Sequence, residues 1–228
     1  MKISIKKEVF RKFPSLQLGF ILIENFDNKK KVVEAGHLVN DMANLIRLTF
    51  HPETLKNHYL ISPWNVAQAE FGKEAKHYQT SVEILLKKVL GHKSVTEKNT
   101  LINLSHYLAL KYIVPGSVDD YYKLVGNVEF KLASGKEKVG ILTKLKKGAL
   151  YYQDNNGVLG TKLDFWKNKR TLVRADTTKA LVHFAALLPI DRKKLNEILK
   201  EGKEIIHSFC GGKMKVFILD KKKNEVRI

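Results

Sequence analysis

The run "KALVHFAALL" (179–188) limits the fold of this 228-residue chain more than any other stretch. Apart from Lys179 and His183, every side chain in it is apolar. A strand with one wet face alternates polar and apolar residues; a strand without a polar face has to be covered on both sides. The chain must therefore supply two further layers around this element. "LGFILI" (18–23) has the length and texture of a second buried strand, and at six residues it is far too short to cross a bilayer. His183 stands in the middle of the apolar run, and His106 lies in another apolar segment. Each reads by default as a core histidine whose ring must find a hydrogen-bond partner.

The elements available for covering layers are legible from periodicity. Val39, Met42, Ala43, Ile46 and Phe50 mark one face of a helix. Thr80 and Glu83 form a capping box, Val82, Leu85, Leu86, Val89 and Leu90 carry the stripe, and Gly91 ends that helix. A third helix runs from about Asn99 to Ile113. It is apolar on two faces, one with Leu101, Leu104, Leu108 and Tyr112 and the other with Ile102, Ala109 and Ile113, which predicts a buried helix. After Asn127 the texture changes to short strands. "VEFKLA" (128–133) alternates, and "ALYYQ" (149–153) leads through the turn "DNNG" (154–157) into "VLGTKL". Asp191 caps a helix bearing Leu195, Ile198, Leu199, Ile205, Ile206 and Phe209, closed by Gly211 and Gly212, and "KVFIL" (215–219) is a last strand. Helices segregated from a mainly antiparallel sheet give the α+β class, with one domain expected over residues 1–228, helix-rich to 125 and strand-rich from 126.

Charge constrains partners rather than fold. With 41 Lys and Arg against 23 Asp and Glu, the chain carries +18 and attracts polyanions. The cations are densest in "GTKLDFWKNKRTLVR" (160–174), where Lys162, Lys167, Lys169, Arg170 and Arg174 face a single acid, Asp164, with two aromatics among them. Such a stretch serves as a nucleic-acid contact, the cations on phosphates and the aromatics on unpaired bases. It serves equally as a strand pair whose Phe165 or Trp166 packs inward beneath a solvated basic face.

Other chemistries find little footing. One cysteine, Cys210, allows neither an internal disulfide nor a multi-cysteine zinc site. His207 and Cys210 lie one helical turn apart, but no second pair accompanies them, so no metal is expected. There is no phosphate-binding glycine loop, no G-x-S-x-G and no H-E-x-x-H, and no cofactor is expected. The opening "MKISIKKEVFRKF" is too charged for a signal peptide. A soluble, cytoplasmic chain that avoids the membrane is the expectation.

Beyond these patterns, "NTLINLSHYLALKYIVP" (99–115) resembles the "N-P-x-x-D-x-x-N-Y-x-x-L-x-x-G-x-P" helix of the B3/B4 domain in the β subunit of phenylalanyl-tRNA synthetase. "SPWNVAQAEFG" (62–72), "KHYQTSVEILLKKVL" (76–90), "DDYYKL" (119–124), "RTLVRADTTKALV" (170–182) and "FCGG" (209–212) follow in the order of the stand-alone members of that family. The resemblance implies an antiparallel β-sandwich of unusual topology flanked by helices. It also implies an editing pocket of the kind that hydrolyses tyrosine from the phenylalanine tRNA, supplying discrimination that a single binding pocket cannot. By that resemblance the family's threonine falls at Ser105, its histidine at Ser117, its glycine-rich turn at Gly160 and Thr161, and its glutamate at or near His183. Lys162, Lys167, Lys169, Arg170 and Arg174 would hold the tRNA acceptor end.

Two polar groups of the family's site are thus exchanged. The resemblance is compatible with a trans-editing deacylase of mischarged tRNA, with a non-catalytic binder of tRNA or of an amino acid, and with a small-molecule hydrolase using His183 as its base. It does not extend to the synthetase's catalytic and anticodon-binding domains.

Overall fold

The structure is a computed structural model that describes residues 1–68, 79–139, 143–161 and 166–228. The chain opens with β1 (Lys2–Ile5), a short α1 (Val9–Lys12) and β2 (Gln17–Glu24), then passes through α2 (Val32–Thr49), α3 (Ser62–Gln68), α4 (Ser81–Leu90) and α5 (Thr100–Tyr112). β3 (Gly116–Asp120) follows at once, then β4 (Val128–Leu132), β5 (Lys138–Val139), β6 (Thr143–Lys144), β7 (Leu150–Asp154), β8 (Gly157–Thr161) and β9 (Trp166–Lys167). The chain continues with β10 (Lys179–Ala186), α6 (Arg192–Cys210), β11 (Lys213–Leu219) and β12 (Glu225–Arg227).

The apolar run becomes β10, paired antiparallel with β2 on one side and β3 on the other in a four-stranded sheet ordered β11-β2-β10-β3. Alternation along the strand then decides what each face meets. Ala180, Val182, Phe184 and Ala186 turn toward α5 and α6, where they pack with Leu104, Leu108, Leu195, Ile198 and Ile206. Leu181, Ala185 and Leu187 turn the other way, against Ile3, Ile5, Phe130 and Tyr152 of the second sheet. That sheet has six strands, ordered β12-β1-β4-β7-β8-β9, antiparallel except for the parallel pair β1 and β4. Two stacked sheets with helices on the outer face of one give the expected α+β sandwich, and both layers around β10 are accounted for. Both sheets draw on the helix-rich and strand-rich parts of the sequence, since β1, β2 and β3 all come from before residue 125.

The helix boundaries follow their caps. The Thr80 backbone N–H donates to Glu83 Oε2 at 2.8 Å, completing the capping box of α4. Asn99 accepts from the Ile102 N–H at 3.0 Å at the start of α5, which ends at Ile113 in the left-handed conformation. Asp191 accepts from the Lys194 N–H at 2.8 Å, and α6 stops at Gly211. The two apolar faces of α5 explain its burial: Leu101, Leu104 and Leu108 meet the sheet, while Ala109, Leu110 and Ile113 meet α2 and α4. Burial of each of these leucine and isoleucine side chains contributes about 1.5–3 kcal/mol, so α5 is the pivot on which sheet and outer helices are both stacked. None of the helices among the described residues is long and apolar enough to cross a membrane.

Candidate functional site

β3 is an edge strand of its sheet. Its open edge faces a cleft of about 440 Å³ between α4 and α5. Helical spacing builds two walls: Ser81, Ile84, Leu85 and Lys88 from α4, and Ile102, Ser105, His106 and Ala109 from α5. Glu97 and Asn99 contribute from the segment before α5, and Lys167, Leu172 and Val173 close the remaining side. Ser117 opposes His183 and Val118 opposes Val182 in the pairing with β10. Antiparallel residues alternate between bonding across the pair and turning their backbone groups outward. The outward ones here are Gly116 and Val118. Gly116 spends both of its groups on Ser81, whose Oγ accepts from its N–H at 3.1 Å and donates to its carbonyl at 3.3 Å. Val118 also lines the cleft.

A compact polar group lies at the floor. The Lys167 ammonium is 2.6 Å from Asp119 Oδ1 and donates to Ser117 Oγ at 2.9 Å and to Tyr152 Oη at 2.6 Å. Tyr152 in turn donates to Asp119 Oδ2 at 2.9 Å. The Asp119 side chain is 1% exposed and that of Lys167 15%, so this is a desolvated ion pair held in a hydrogen-bonded network. Register explains how the partners meet. Gly160 on β8 pairs with Tyr152 on one side and Lys167 on the other. Directly paired residues share a face, so the position between Tyr152 and Lys167 carries no side chain to keep them apart. The chemistry is set by the donors. Ser117 accepts from an ammonium, which leaves its own proton for an acceptor in the cleft. With its carboxylate partner in place, Lys167 is a donor and not the base of a serine–lysine pair.

His183 lies behind this floor, between the sheets, only 1% exposed and outside the lining of the cleft. The rings of Phe130 and Tyr152 stand nearly perpendicular to its own, with centroids 5.5 and 5.2 Å away. Its Nε2 has no hydrogen-bond partner among the described residues. Burial, reinforced by the nearby Lys167 charge and opposed by Asp119, pushes the imidazole pKa down to about 3. The sequence-based placement of His183 as a reactive group in the pocket is therefore corrected. It is a neutral core ring that water in the cleft does not reach.

His106 is the histidine that the cleft does contain, although its apolar neighbours in sequence mark it as core. Its Nδ1 lies 2.7 Å from the Val95 carbonyl. A carbonyl only accepts, so Nδ1 carries the proton and Nε2 is the lone-pair nitrogen of the neutral ring. Burial pushes its pKa below the ordinary value; the Val95 hydrogen bond and Glu97 oppose the shift, and Lys88 adds to it.

The remaining expected residues separate. Ser105 and Ser117, twelve positions apart in sequence, line one cleft. Gly160 and Thr161 sit on β8 outside the lining, Thr161 being buried. Lys169 and Arg174 are exposed. Arg170 bonds both Asp154 oxygens at 2.8 Å and also the Lys123 carbonyl. Asp154 is buried, so this guanidinium is a structural counter-charge and not a free phosphate contact. Lys162, Asp164 and Phe165 lie outside the described residues, and Trp166 packs on the cluster around Ala133, Val139 and Tyr151. Cys210 is buried, its thiol pKa raised to about 12 by burial. His207 bonds the Gly212 carbonyl, and no cluster of three metal-ligating side chains occurs among the described residues.

Asp119 and Tyr152 belong to the polar group under the cleft and were not singled out by sequence reasoning. The signal available was "DD" at 119–120 closing a strand, since aspartate is depleted from strands and a buried one needs a cation.

No curated protein matches the chain. Among solved structures, an N-terminal fragment of the phenylalanyl-tRNA synthetase beta-subunit from Pyrococcus horikoshii is similar over 94% of this chain and 49% of that one, at 10% identity and a TM-score of 0.41. The chain thus spans about half of that fragment, and so distant a likeness says nothing about chemistry. The sequence matches the B3/4 domain family over residues 63–211, which include α4, α5, β3 and every residue of the cleft. This chain belongs to the B3/4 domain family.

Proposed function

We propose that the cleft receives the aminoacyl end of a tRNA and that the chain acts in trans on a mischarged species, hydrolysing the ester between amino acid and ribose. One observation carries the reading. Ser105 and Ser117, two of the three positions that correspond to polar side chains of the family's pocket, come from different elements and face the same cleft. A volume of about 440 Å³ lies within the ordinary range for a small-molecule site and suits an amino acid with part of its ribose. The Ser117 proton, polarised by the Lys167 ammonium behind its oxygen, suits the negative charge that develops on an ester carbonyl during hydrolysis. The +18 charge supports a polyanionic partner, with the exposed Lys169 and Arg174 as phosphate contacts.

A second reading, a binding protein without hydrolysis, is favoured by Ser117 standing in place of the family's histidine and by the burial of His183. Both are tested with a panel of correctly and wrongly charged tRNAs. The deacylase reading expects one mischarged species to lose its ester faster than the spontaneous rate. tRNA binding with no acceleration for any species leaves the binding protein.

Lys169→Ala with Arg174→Ala tests the docking face without unpairing a buried acid. Affinity for tRNA is expected to fall, and the slope of log K against log salt to shrink by about 0.7–0.9 for each phosphate no longer neutralised. An unchanged slope removes these residues from the interface.

A further inference from the structure

We propose that His106 is the general base of the cleft, a role the family resemblance does not assign and that rests on the deacylase reading above. Three observations on geometry lead there. His106 lies on the α5 wall next to Ser105. Its Nδ1–H is bound to the Val95 carbonyl, and Val95 is not part of the lining, so the nitrogen left for the cleft is Nε2 with its lone pair. Two other bases close to the floor are engaged: Asp119 is paired with Lys167 and Tyr152, and His183 is sealed between the sheets. The backbone bond fixes the tautomer as a carboxylate does in hydrolases whose histidine takes a proton through Nε2. The charged groups acting on the ring are Glu97, from the segment before α5, and Lys88, from α4. Burial outweighs Glu97, so the ring is neutral and ready to accept a proton through the neutral pH range.

The step balances without a further reactant. Nε2 takes a proton from water as the water oxygen bonds to the ester carbonyl carbon. The carbonyl oxygen then carries negative charge near the Ser117 hydroxyl. Collapse of the tetrahedral intermediate breaks the bond to the ribose oxygen, which takes the proton back from Nε2. The imidazole returns neutral, one water is consumed, and the products are the free amino acid and the uncharged tRNA end.

The test is single-turnover deacylation with the panel of mischarged tRNAs, using the full chain, His106→Ala and His106→Asn. Asparagine keeps a donor for the Val95 carbonyl but offers no basic nitrogen, so it separates lost chemistry from lost packing. Both variants are expected to be slower by about 100-fold or more, the scale of a positioned base, with tRNA affinity within about threefold of wild type. For His106→Asn the melting temperature should stay at the wild-type value. The wild-type rate should rise with pH through a point below the ordinary histidine range and then level, and both variants should lose that rise. Added imidazole should restore part of the His106→Ala rate. If the wild type hydrolyses one species and His106→Asn does so at the same rate with the same pH limb, His106 is not the base, while the deacylase reading stands. If the wild type hydrolyses none of the panel, the deacylase reading falls and the base proposal with it.

Discussion

Urea melts of Lys167→Ala are expected to show a stability loss of about 3–5 kcal/mol, large against the roughly 5–15 kcal/mol of a typical domain. The cause is the acid left behind. Asp119 is 1% exposed, and removing the ammonium at 2.6 Å leaves its charge desolvated with the Tyr152 hydroxyl as a neutral donor in place of a cation. The companion variant distinguishes this from lost packing. Lys167→Met with Asp119→Asn removes both charges, and the pair is expected to cost less than Lys167→Met alone, a non-additivity of at least about 1 kcal/mol for residues in one network. Additive losses would show that the ion pair is not what Lys167 contributes. Alanine at Lys167 or Arg170 unpairs a buried aspartate, so a drop in tRNA binding by either variant has to be read beside its melting curve.

Acid titration should expose His183. Folded, its pKa lies near 3; unfolded, it returns to the ordinary value near 6.5. Between those pH values the unfolded chain binds a proton that the native chain refuses, so stability rises with pH across this window. Lowering the pH from about 6.5 toward 3 is then expected to remove up to about 1.4 kcal/mol per unit from this one residue. His183→Leu fills the site with a side chain that does not titrate, and the acid slope should flatten by one proton's worth. Equal slopes for the two proteins would place the unpaired imidazole in contact with water.

Local chemistry in the sequence was enough for the elements and their caps. Thr80 with Glu83, Asn99 and Asp191 each start a helix where expected, because a side chain three residues away satisfies an orphan N–H and needs nothing distant. The two-residue turn between β7 and β8 is equally local, with Gly157 supplying a positive φ of 116°. The two covered faces of β10 are implied by its composition alone. What meets those faces is not. Ser117, Asp119, Tyr152, Lys167 and His183 come from four strands brought together by the stacking of two sheets, and no periodicity encodes that meeting. Strand alternation grouped Lys167 with a solvated face, whereas the register of Gly160 carries its ammonium to a buried carboxylate. His106 resembles core because its neighbours on α5 are apolar; the opening beside it exists only because α4 and the edge of β3 stand off from that face.

The contrast between floor and walls has a consequence for how such a cleft diversifies. Any single change at Asp119, Lys167 or Tyr152 breaks a shared network, so drift at the floor is penalised whatever it does to a ligand. Ile84 and Ile102 are only half-buried on the helical walls, and exchanging either for a larger or smaller apolar residue alters the room available without stranding a charge. Divergence among proteins built on this frame should therefore concentrate on the helical walls, and a laboratory selection for a new amino acid should find its first successes there.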